Sequence, residues 1–335
     1  MPLARLSILV LFLLLVVVPA AYLSGHVRDR ALVNDEYRSH QPTPIQNFGS
    51  TKTLSILPLI NWHTNNDSLS GEQGVAYLIK TDANTLLFDL GHNRDEASPS
   101  PLEHNMNKLQ VSLSDVDTIF LSHNHFDHVG GKKWMQANSF SFGNKQVDLD
   151  GKRVFTPVAM TYPGIDPQHT PEPTKIAEGI ASTGTIPRQL FIGRIDEQAL
   201  VINVEGKGLV LIVGCGHQTV SKLIERTNAV FDQPIYGIIG DLHFPIPSGR
   251  LDIAGINAQK VFASGESPFR PLTQEQIDKD QALLKSLNLG VMALGGHDSS
   301  DEVISQFDQH FGENYQHVRV GDWIHVNSDT RLVAN

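Results

Sequence analysis

The sequence contains very little cysteine and no large basic cluster. Its 335 residues include a single cysteine, so no disulfide can form within the chain and a cysteine-based zinc finger is excluded. Lysine and arginine number 26 against 36 acidic residues, which gives a net charge of −10. No basic run exceeds a pair such as Lys132 and Lys133. We therefore expect no broad nucleic-acid-binding surface.

The composition is otherwise that of a folded protein. The hydrophobic fraction is 40% and the charged fraction 19%, values typical of globular domains rather than disordered chains. The length allows one large domain or two ordinary ones. Histidine is plentiful, with 15 copies, and its distribution along the chain carries most of the functional information.

The N-terminus is the one long hydrophobic run. Apolar residues extend from Leu6 to Leu23 with two interruptions, close to the length that spans a bilayer. We predict an export signal over residues 1–24, more readily retained as a membrane anchor than cleaved near Ala20-Ala21. The protein would then be anchored facing the extracytoplasmic side, or be periplasmic or secreted after cleavage. Residues 25–52 are predicted to form a polar linker.

From Thr53 onward, short apolar runs alternate with turns and, later, with helical patterns. Thr273 with Gln276 and Ser299 with Glu302 are predicted as capping boxes that start two helices. The proline-rich stretch 157–187 is predicted to be a long loop or lid. Strands come first and helices are interleaved later, which favours a layered α/β sandwich. The predicted strands are LSILPLI, GVAYLIKT, NTLLFDLG, VDTIFLS, QALVINV, GLVLIVG, IYGIIGD and GVMALGG, and the predicted helices are LEHNMNKLQ, TVSKLIERTNAVF, TQEQIDKDQALLKSLNLG and SSDEVISQFDQHF.

The segment LSHNHFDHVGG follows one of these strands and concentrates possible metal ligands. Residues two apart on an extended strand end point the same way, so His123 and His125 can address one point. Asp127 and His128 come after a turn and can address a second point. Four such residues within six positions favour a dinuclear metal centre over a solvated loop.

The motif His-x-His-x-Asp-His after a hydrophobic strand resembles the signature of the metallo-β-lactamase-fold superfamily. The segments LLFDLG, GCGH, GDLH and GGHDSS resemble later parts of the same pattern. EQALVINVEGKGLVLIVGCGH further resembles the branch of dihydropterin ribofuranosylaminobenzene phosphate synthase-related proteins. The resemblance covers about residues 53–326 and implies one four-layer αββα sandwich domain.

The resemblance also implies a ligand set. The implied ligands are His123, His125 and His217 for one ion, and Asp127, His128 and His297 for the other. Asp241 is predicted as the bridging carboxylate, because it stands at a strand end where many superfamily members place a bridging aspartate. His243 is the alternative, because this branch usually has Gly-Gly-Phe-His where this chain has Gly-Asp-Leu-His. Cys215 is expected to be a small buried thiol rather than a ligand. Asp89 either orients a metal-bound histidine or simply ends its strand.

These residues predict a metal-dependent hydrolase acting on a small molecule. Two divalent cations, zinc or alternatively manganese or iron, would supply a hydroxide nucleophile, with Asp127 and Asp241 orienting it or accepting its proton. An anionic ester or phosphoester is the expected type of substrate. Its candidate receptors are Arg188, Arg194, Arg250 and Arg270.

Two alternatives come from other functional classes. The branch resemblance suggests a transferase of the synthase type, although an exported location argues against that cytosolic chemistry. A non-catalytic metal-binding module is the other, and the complete ligand set argues against it. Hydrolysis of β-lactams ranks lower, because the resemblance is not to the antibiotic-hydrolysing group.

Overall fold

A computed structural model describes residues 7, 10, 11, 13–260 and 270–328. These residues contain six α-helices and seventeen β-strands. The helices are α1 (Val18–Ser39), α2 (Pro101–Lys108), α3 (Lys132–Gln136), α4 (Val220–Val230), α5 (Gln274–Ser286) and α6 (Asp301–Phe311). The strands are β1 (Thr53–Ile60), β2 (Ala76–Thr81), β3 (Thr85–Phe88), β4 (Thr118–Phe120), β5 (Arg153–Thr156), β6 (Gln168–His169), β7 (Thr174–Ala177), β8 (Ile180–Ser182), β9 (Ile186–Leu190), β10 (Gly193–Glu197), β11 (Leu200–Val204), β12 (Gly208–Val213), β13 (Ile235–Gly240), β14 (Asp252–Ile253), β15 (Ile256–Asn257), β16 (Val291–Leu294) and β17 (Ile324–Asn327).

Two large mixed sheets form the centre of the fold. The first has seven strands in the order β17-β1-β2-β3-β4-β5-β6, and the second has six in the order β16-β13-β12-β11-β8-β7. Strands β3 to β6 pair in parallel, as do β12, β13 and β16. Chain segments that leave the carboxyl ends of parallel strands emerge at one edge of a sheet, which is where α/β folds commonly bind ligands.

Three buried apolar clusters separate the layers. One lies between the sheets and includes Ile56, Phe120 and Ile212. The second joins the first sheet to α2 and α3, and the third joins the second sheet to α4, α5 and α6. The helices thus cover the outer faces of two sheets that face each other. This confirms the predicted four-layer αββα sandwich.

The proline-rich stretch is more ordered than predicted. Strands β6, β7 and β8 lie between residues 157 and 187, and β9 begins at Ile186, so the prediction of a long loop or lid is wrong for this part of the chain. β7 pairs with β8, and β8 pairs with β11 at the margin of the second sheet. Pro187 lies in β9, which forms a separate two-stranded hairpin with β10. Prolines are tolerated here because they occupy turns and strands at a sheet edge.

The N-terminal segment differs from its prediction in one respect. Residues 25–39, expected to belong to a polar linker, instead continue the helix that runs through α1 to Ser39. The predicted signal or anchor over residues 1–24 falls partly on residues 1–6, 8, 9 and 12, which lie outside the described residues. Among the helices that the structure does describe, none combines the length and the apolar character needed to cross a membrane.

The helix starts are set by side-chain caps. Thr273 and Gln276 form the predicted reciprocal capping box at the start of α5. The second predicted box is wrong by one residue: Ser300 caps α6 by accepting from the Val303 N–H. Ser299 instead lies with its hydroxyl 3.4 Å from the Phe244 N–H. The Ser300 cap and the Ser299 contact together position the GGHDSS turn, which carries His297.

Candidate metal centre

Four turns bring the polar residues of the site together. They follow the carboxyl ends of β4, β12, β13 and β16, the parallel strands that face the same edge of the sandwich. The turn after β4 bends at Gly130, which has a φ of 85° and where a Cβ would collide with the Ser141 carbonyl. Glycine is required there because other residues rarely adopt this conformation.

Buried donor atoms in these turns form three groups. In each group the donor atoms lie within 4.8 Å of one another. The groups are His123, His125 and His217; Asp127, His128, Cys215 and His297; and Cys215, His217, His243 and Asp298. The structure thus brings together six of the seven predicted ligands and sorts them largely as the resemblance implied. It adds Cys215 and Asp298 to them and includes His243, the predicted alternative to Asp241.

Several of these atoms lack a protein partner despite being buried. Among the described residues, none provides a hydrogen bond to Nε2 of His123, His217 or His243, or to Oδ1 of Asp127. An unpaired buried polar atom costs about 1–3 kcal/mol, so a cluster of four needs an explanation. Imidazole nitrogens and carboxylate oxygens in this arrangement are the donors that zinc, manganese or iron takes. The residues therefore fit a divalent metal.

Asp89 holds one of the histidines in place. Its Oδ2 lies 2.7 Å from Nδ1 of His128, and it also accepts hydrogen bonds from the Ser122 N–H and hydroxyl, at 2.7 and 2.6 Å. All three side chains are completely buried. Of the two interpretations of Asp89, the structure supports the orienting one, because a carboxylate on Nδ1 turns Nε2 toward the other donors.

Asp241 lies behind His297 rather than among the grouped donors. Its Oδ2 is 2.8 Å from Nδ1 of His297. Nε2 of the same imidazole faces the centre, 3.2 Å from the Cys215 Sγ and 3.2 Å from Oδ2 of Asp298. Asp241 belongs to none of the three donor groups. This placement suits a residue that orients His297, the part Asp89 takes for His128, and not the predicted bridge.

Asp298 is the carboxylate that sequence reasoning missed. Its Oδ2 is 2.9 Å from Nδ1 of His243 and faces Nε2 of His297, while its other oxygen accepts from the Gln259 side chain. It is 3% exposed. The signal was present, since Asp298 directly follows His297 in GGHDSS. Asp298 does not directly follow a predicted strand, whereas Asp241 does, and this position is why Asp241 was selected.

Cys215 is buried, as predicted, but it occupies a more central position than expected. Its Sγ is 3.0 Å from Nε2 of His128 and 3.2 Å from Nε2 of His297. It belongs to two of the three donor groups. Among the described residues, no other side chain is shared between these two groups.

Glu197 shapes the turn that carries Cys215 and His217. Its two carboxylate oxygens accept the backbone N–H groups of Cys215, Gly216 and His217, at 3.0, 2.9 and 2.7 Å. Burial raises the pKa of Glu197 to about 8, while these three N–H donors act in the opposite direction. Glu197 does not belong to the donor groups, but it holds the backbone of the turn that carries two of their members.

Burial determines the protonation of most of the histidines. It lowers the pKa of His125 to about 3 and that of His128 to about 4, and it lowers the pKa of His123 and His217 well below the usual value. These imidazoles are therefore neutral at pH 7, the form that binds metals. His297 differs: burial opposes its charged form, but the adjacent carboxylates Asp241 and Asp298 raise its pKa well above the usual value.

A cavity of about 400 Å³ opens over the donor atoms. His125, Asp127, His217, His243 and Asp298 line its floor. Among the predicted anion receptors, Arg194 lines the wall but is paired with Glu36 and Asp196. Arg188 donates to the His217 carbonyl, and Arg250 donates to the carbonyls of Gly296 and Ser299. These two arginines support the turns of the site, and Arg270 is exposed outside the cavity.

Comparison with known proteins agrees with this fold. A family model described as the Metallo-beta-lactamase superfamily matches residues 69–140, which include the histidine-rich motif. A solved structure described as a metal-dependent hydrolase of the β-lactamase superfamily is 17% identical, covers 82% of this chain and all of its own, and has a TM-score of 0.53. The metallo-β-lactamase fold protein YhfI from Bacillus subtilis is 13% identical with the same coverage and a TM-score of 0.50.

A curated relative carries a more specific name. The 7,8-dihydropterin-6-methyl-4-(beta-D-ribofuranosyl)-aminobenzene-5'-phosphate synthase of Methanocaldococcus jannaschii is 23% identical over 64% of this chain and 86% of its own length. Residues 69–140 thus carry the sequence pattern of the superfamily, and the chain has the metallo-β-lactamase fold, as its sequence predicted. The similarity to the synthase agrees with the predicted branch.

Proposed function

We propose that this chain is a metal-dependent hydrolase with a dinuclear centre. The observation that supports this most directly is the convergence of buried nitrogen, oxygen and sulfur donors at the floor of a cavity. Several of these donors have no partner among the described residues. Structural ion pairs would satisfy each other, whereas these atoms remain available for a ligand.

Two sets of residues hold the cations in this proposal. His123, His125 and His217 form the first, and Asp127, His128 and His297 form the second. Cys215 and Asp298 supply donor atoms between them, because both approach the Nε2 atom of His297 while grouping with His217 and His243. Asp89 and Asp241 act by orienting histidines. Zinc suits this mixed nitrogen, oxygen and sulfur set best.

Bound divalent cations would lower the pKa of a water molecule and polarise a carbonyl or phosphoryl oxygen. The protein itself contributes position and proton handling. Asp127 lies on the cavity floor, and its Oδ1 accepts no hydrogen bond from the residues that the structure describes, so it orients water at the floor and accepts its proton. In the net reaction, the water oxygen joins the acyl carbon or phosphorus, the ester bond breaks, and the leaving oxygen takes a proton.

A transferase is the second candidate, and the named synthase from Methanocaldococcus jannaschii favours it. The same metal set could then bind a phosphorylated substrate without hydrolysing it. The two functions differ in their need for a second organic substrate. Hydrolysis requires water alone, whereas the synthase reaction joins two molecules.

Metal content and turnover test the proposal together. We expect the full-length chain, purified in detergent and loaded with zinc or manganese, to bind about two equivalents, and the variant His125→Ala with His128→Ala to lose them. The loaded protein should then cleave at least one member of a panel of carboxyl esters, phosphodiesters and lactams, and the chelated protein should cleave none. A loaded wild type that cleaves nothing but joins a pterin alcohol to an aminobenzene ribosyl phosphate would establish the transferase instead.

A further inference from the structure

The mouth of the cavity is bordered by two hairpins that do not belong to the large sheets. The turn between β9 and β10 contributes Ile192 to the wall, and the residue preceding β14 contributes Leu251. Both residues line the same cavity as the candidate ligands His125 and His217. The chemistry of these hairpins therefore determines what can reach the site.

These hairpins expose large aliphatic side chains. Ile192 and Leu251 are 55% and 37% exposed, and Ile253 and Ile256, on the β14–β15 hairpin, are 55% and 60% exposed. Single exposed apolar residues are common on protein surfaces. Four of them on two hairpins beside one cavity form a local apolar rim, and apolar patches of this kind mark sites of association.

Helix α1 runs alongside the first hairpin toward its tip. Near one end, Lys222 donates to both Asn34 on α1 and the Pro187 carbonyl on β9, each at 3.3 Å. At the tip, the Tyr22 hydroxyl donates to the Phe191 carbonyl at 2.6 Å. The helix thus contacts the hairpin tip beside the mouth of the cavity.

The helix continues beyond this contact with apolar residues. Residues 13–18 are all leucine or valine, and their side chains are 42–65% exposed. Residues 13–17 form a π-helical segment that leads into α1 at Val18, so helical structure continues for nine residues on the N-terminal side of Tyr22. This apolar segment thus adjoins the hairpin tip that carries Ile192, through the contact between Tyr22 and Phe191.

Basic side chains lie beside the rim. Arg94, Lys132 and Lys133 line a neighbouring cavity that also includes Leu251, with Glu96 as the acidic member of that wall. The three cations are exposed. The exposed carboxylates Asp95 and Asp252 lie on the same chain segments as Arg94 and Leu251, so the three cations flank the rim without giving it a net positive charge. An apolar tip flanked by cations is the pattern that binds anionic lipid surfaces.

We propose that the cavity mouth docks on an anionic lipid bilayer, with the apolar rim and the start of α1 entering the boundary between headgroups and acyl chains. A specific protein interface buries roughly 1,000 Å² of surface or more, and four side chains on two hairpin tips are too few to supply it. They are enough for shallow insertion of the tips into a bilayer surface. The substrate is then an amphiphile. Its polar ester or phosphodiester end reaches the donor residues and its hydrocarbon chain lies between the two hairpins, a point that rests on the proposed hydrolase function.

Fluorescent labels on single cysteines test the docking. Cys215 is buried, so a cysteine introduced by Ile253→Cys or by Ile256→Cys can be labelled selectively. Leu32→Cys is the matched control, since Leu32 is also 60% exposed but lies near Asn34, away from the tip. The full-length chain is reconstituted with vesicles of phosphatidylcholine and phosphatidylglycerol. Quenching by brominated acyl chains and by aqueous iodide is then measured.

We expect the labels at 253 and 256 to be quenched by brominated chains and protected from iodide, and the label at 32 to show the reverse. Iodide quenching at all three positions would overturn the proposal, because the rim would lie in water. Protection from both quenchers at 253 and 256 would also overturn it, since a second copy of the chain or another protein would then cover the rim.

A kinetic comparison separates docking from catalysis. The variant Ile253→Ser with Ile256→Ser should lower kcat/KM on a long-chain ester in vesicles at least about tenfold and leave a short-chain soluble ester unaffected. If the variant kept the wild-type kcat/KM on the vesicle ester as well as on the soluble ester, the docking would be contradicted. If the labels insert but no ester is cleaved, docking stands and the hydrolase function fails.

Discussion

Asp89 Oδ2 lies 2.7 Å from Nδ1 of His128, and both side chains are completely buried. This contact holds Nδ1 of the imidazole from one side, while Nε2 of the same ring lies 3.0 Å from the Cys215 Sγ. Asp89 also holds the Ser122 backbone, so a single carboxylate links the end of β3 to the start of the ligand-bearing turn. The geometry makes Asp89 a positioning residue whose effect should appear in metal affinity.

Asp89→Asn should weaken binding of the ion held by His128 by about 10–100-fold, because the amide lacks the negative charge that raises the basicity of the imidazole. Competition with a chromophoric chelator would measure it. Asp67→Asn, on the exposed Asp67, is the control and should leave both affinities unchanged. Equal affinities in Asp89→Asn and wild type would rule out the orienting role.

Asp298 and Asp241 should give different results when neutralised. Asp298→Asn removes a donor from the centre, so we expect the bound metal to fall from about two equivalents to about one. Asp241→Asn should retain both ions and only weaken the binding of one of them, since Asp241 contacts Nδ1 of His297, the nitrogen that faces away from the centre. Elemental analysis after dialysis measures the stoichiometry. The reverse pattern would restore Asp241 as the bridging ligand predicted from the sequence.

The cobalt form should reveal whether Cys215 binds metal. A thiolate bound to cobalt gives an intense near-ultraviolet charge-transfer band, and the chain has only one cysteine from which the band can arise. We expect this band in the cobalt-loaded wild type and not in Cys215→Ser, with the same far-ultraviolet circular dichroism in both. A cobalt-loaded wild type without the band would show that Cys215 remains a protonated, purely structural thiol.

Glu197→Gln should destabilise the fold by about 2–4 kcal/mol. The carboxylate satisfies three buried backbone N–H groups, whereas an amide offers one acceptor oxygen and a competing NH₂ group. Guanidinium unfolding of the full-length chain measures the change in the free energy of unfolding. Glu205→Gln, at an exposed turn, is the control and should change it little. Similar losses in the two variants would contradict the supporting role of Glu197.

Lys222 should make stability depend on pH in the alkaline range. Its partial burial between α4 and α1 lowers its pKa from 10.5 to about 8. Between these values the unfolded chain holds the proton and the folded chain does not, so the free energy of unfolding rises with pH. Lys222→Met should flatten this rise, whereas Lys108→Met should not. Denaturant titrations at several pH values provide the test, and an equal slope in both variants would refute it.

Much of the architecture can be predicted from local sequence. Continuous apolar runs such as that of β12 mark strands buried on both faces, and the capping pair Thr273 and Gln276 marks the start of a helix, because these features depend on neighbours in the chain. The motif from His123 to His128 likewise signals a metal site through its own spacing.

The identity of the remaining donors depended on tertiary structure. Asp241 and His243 follow β13 closely, and Asp298 lies further from its strand, in the turn after β16. The sequence does not tell which of these side chains faces the centre. His243 has a φ of 58°, a left-handed conformation that interrupts the alternation of a strand and redirects its side chain.

The sequence alone determined that this chain forms a sandwich of apolar strands with a histidine-rich metal motif, because patterning and spacing act over a few residues. The convergence of Cys215 and Asp298 on the centre, with Asp241 behind His297, arises from tertiary packing. Those relations arise where turns distant in the chain meet at one edge of the two sheets, and the packing of the sheets sets their distances.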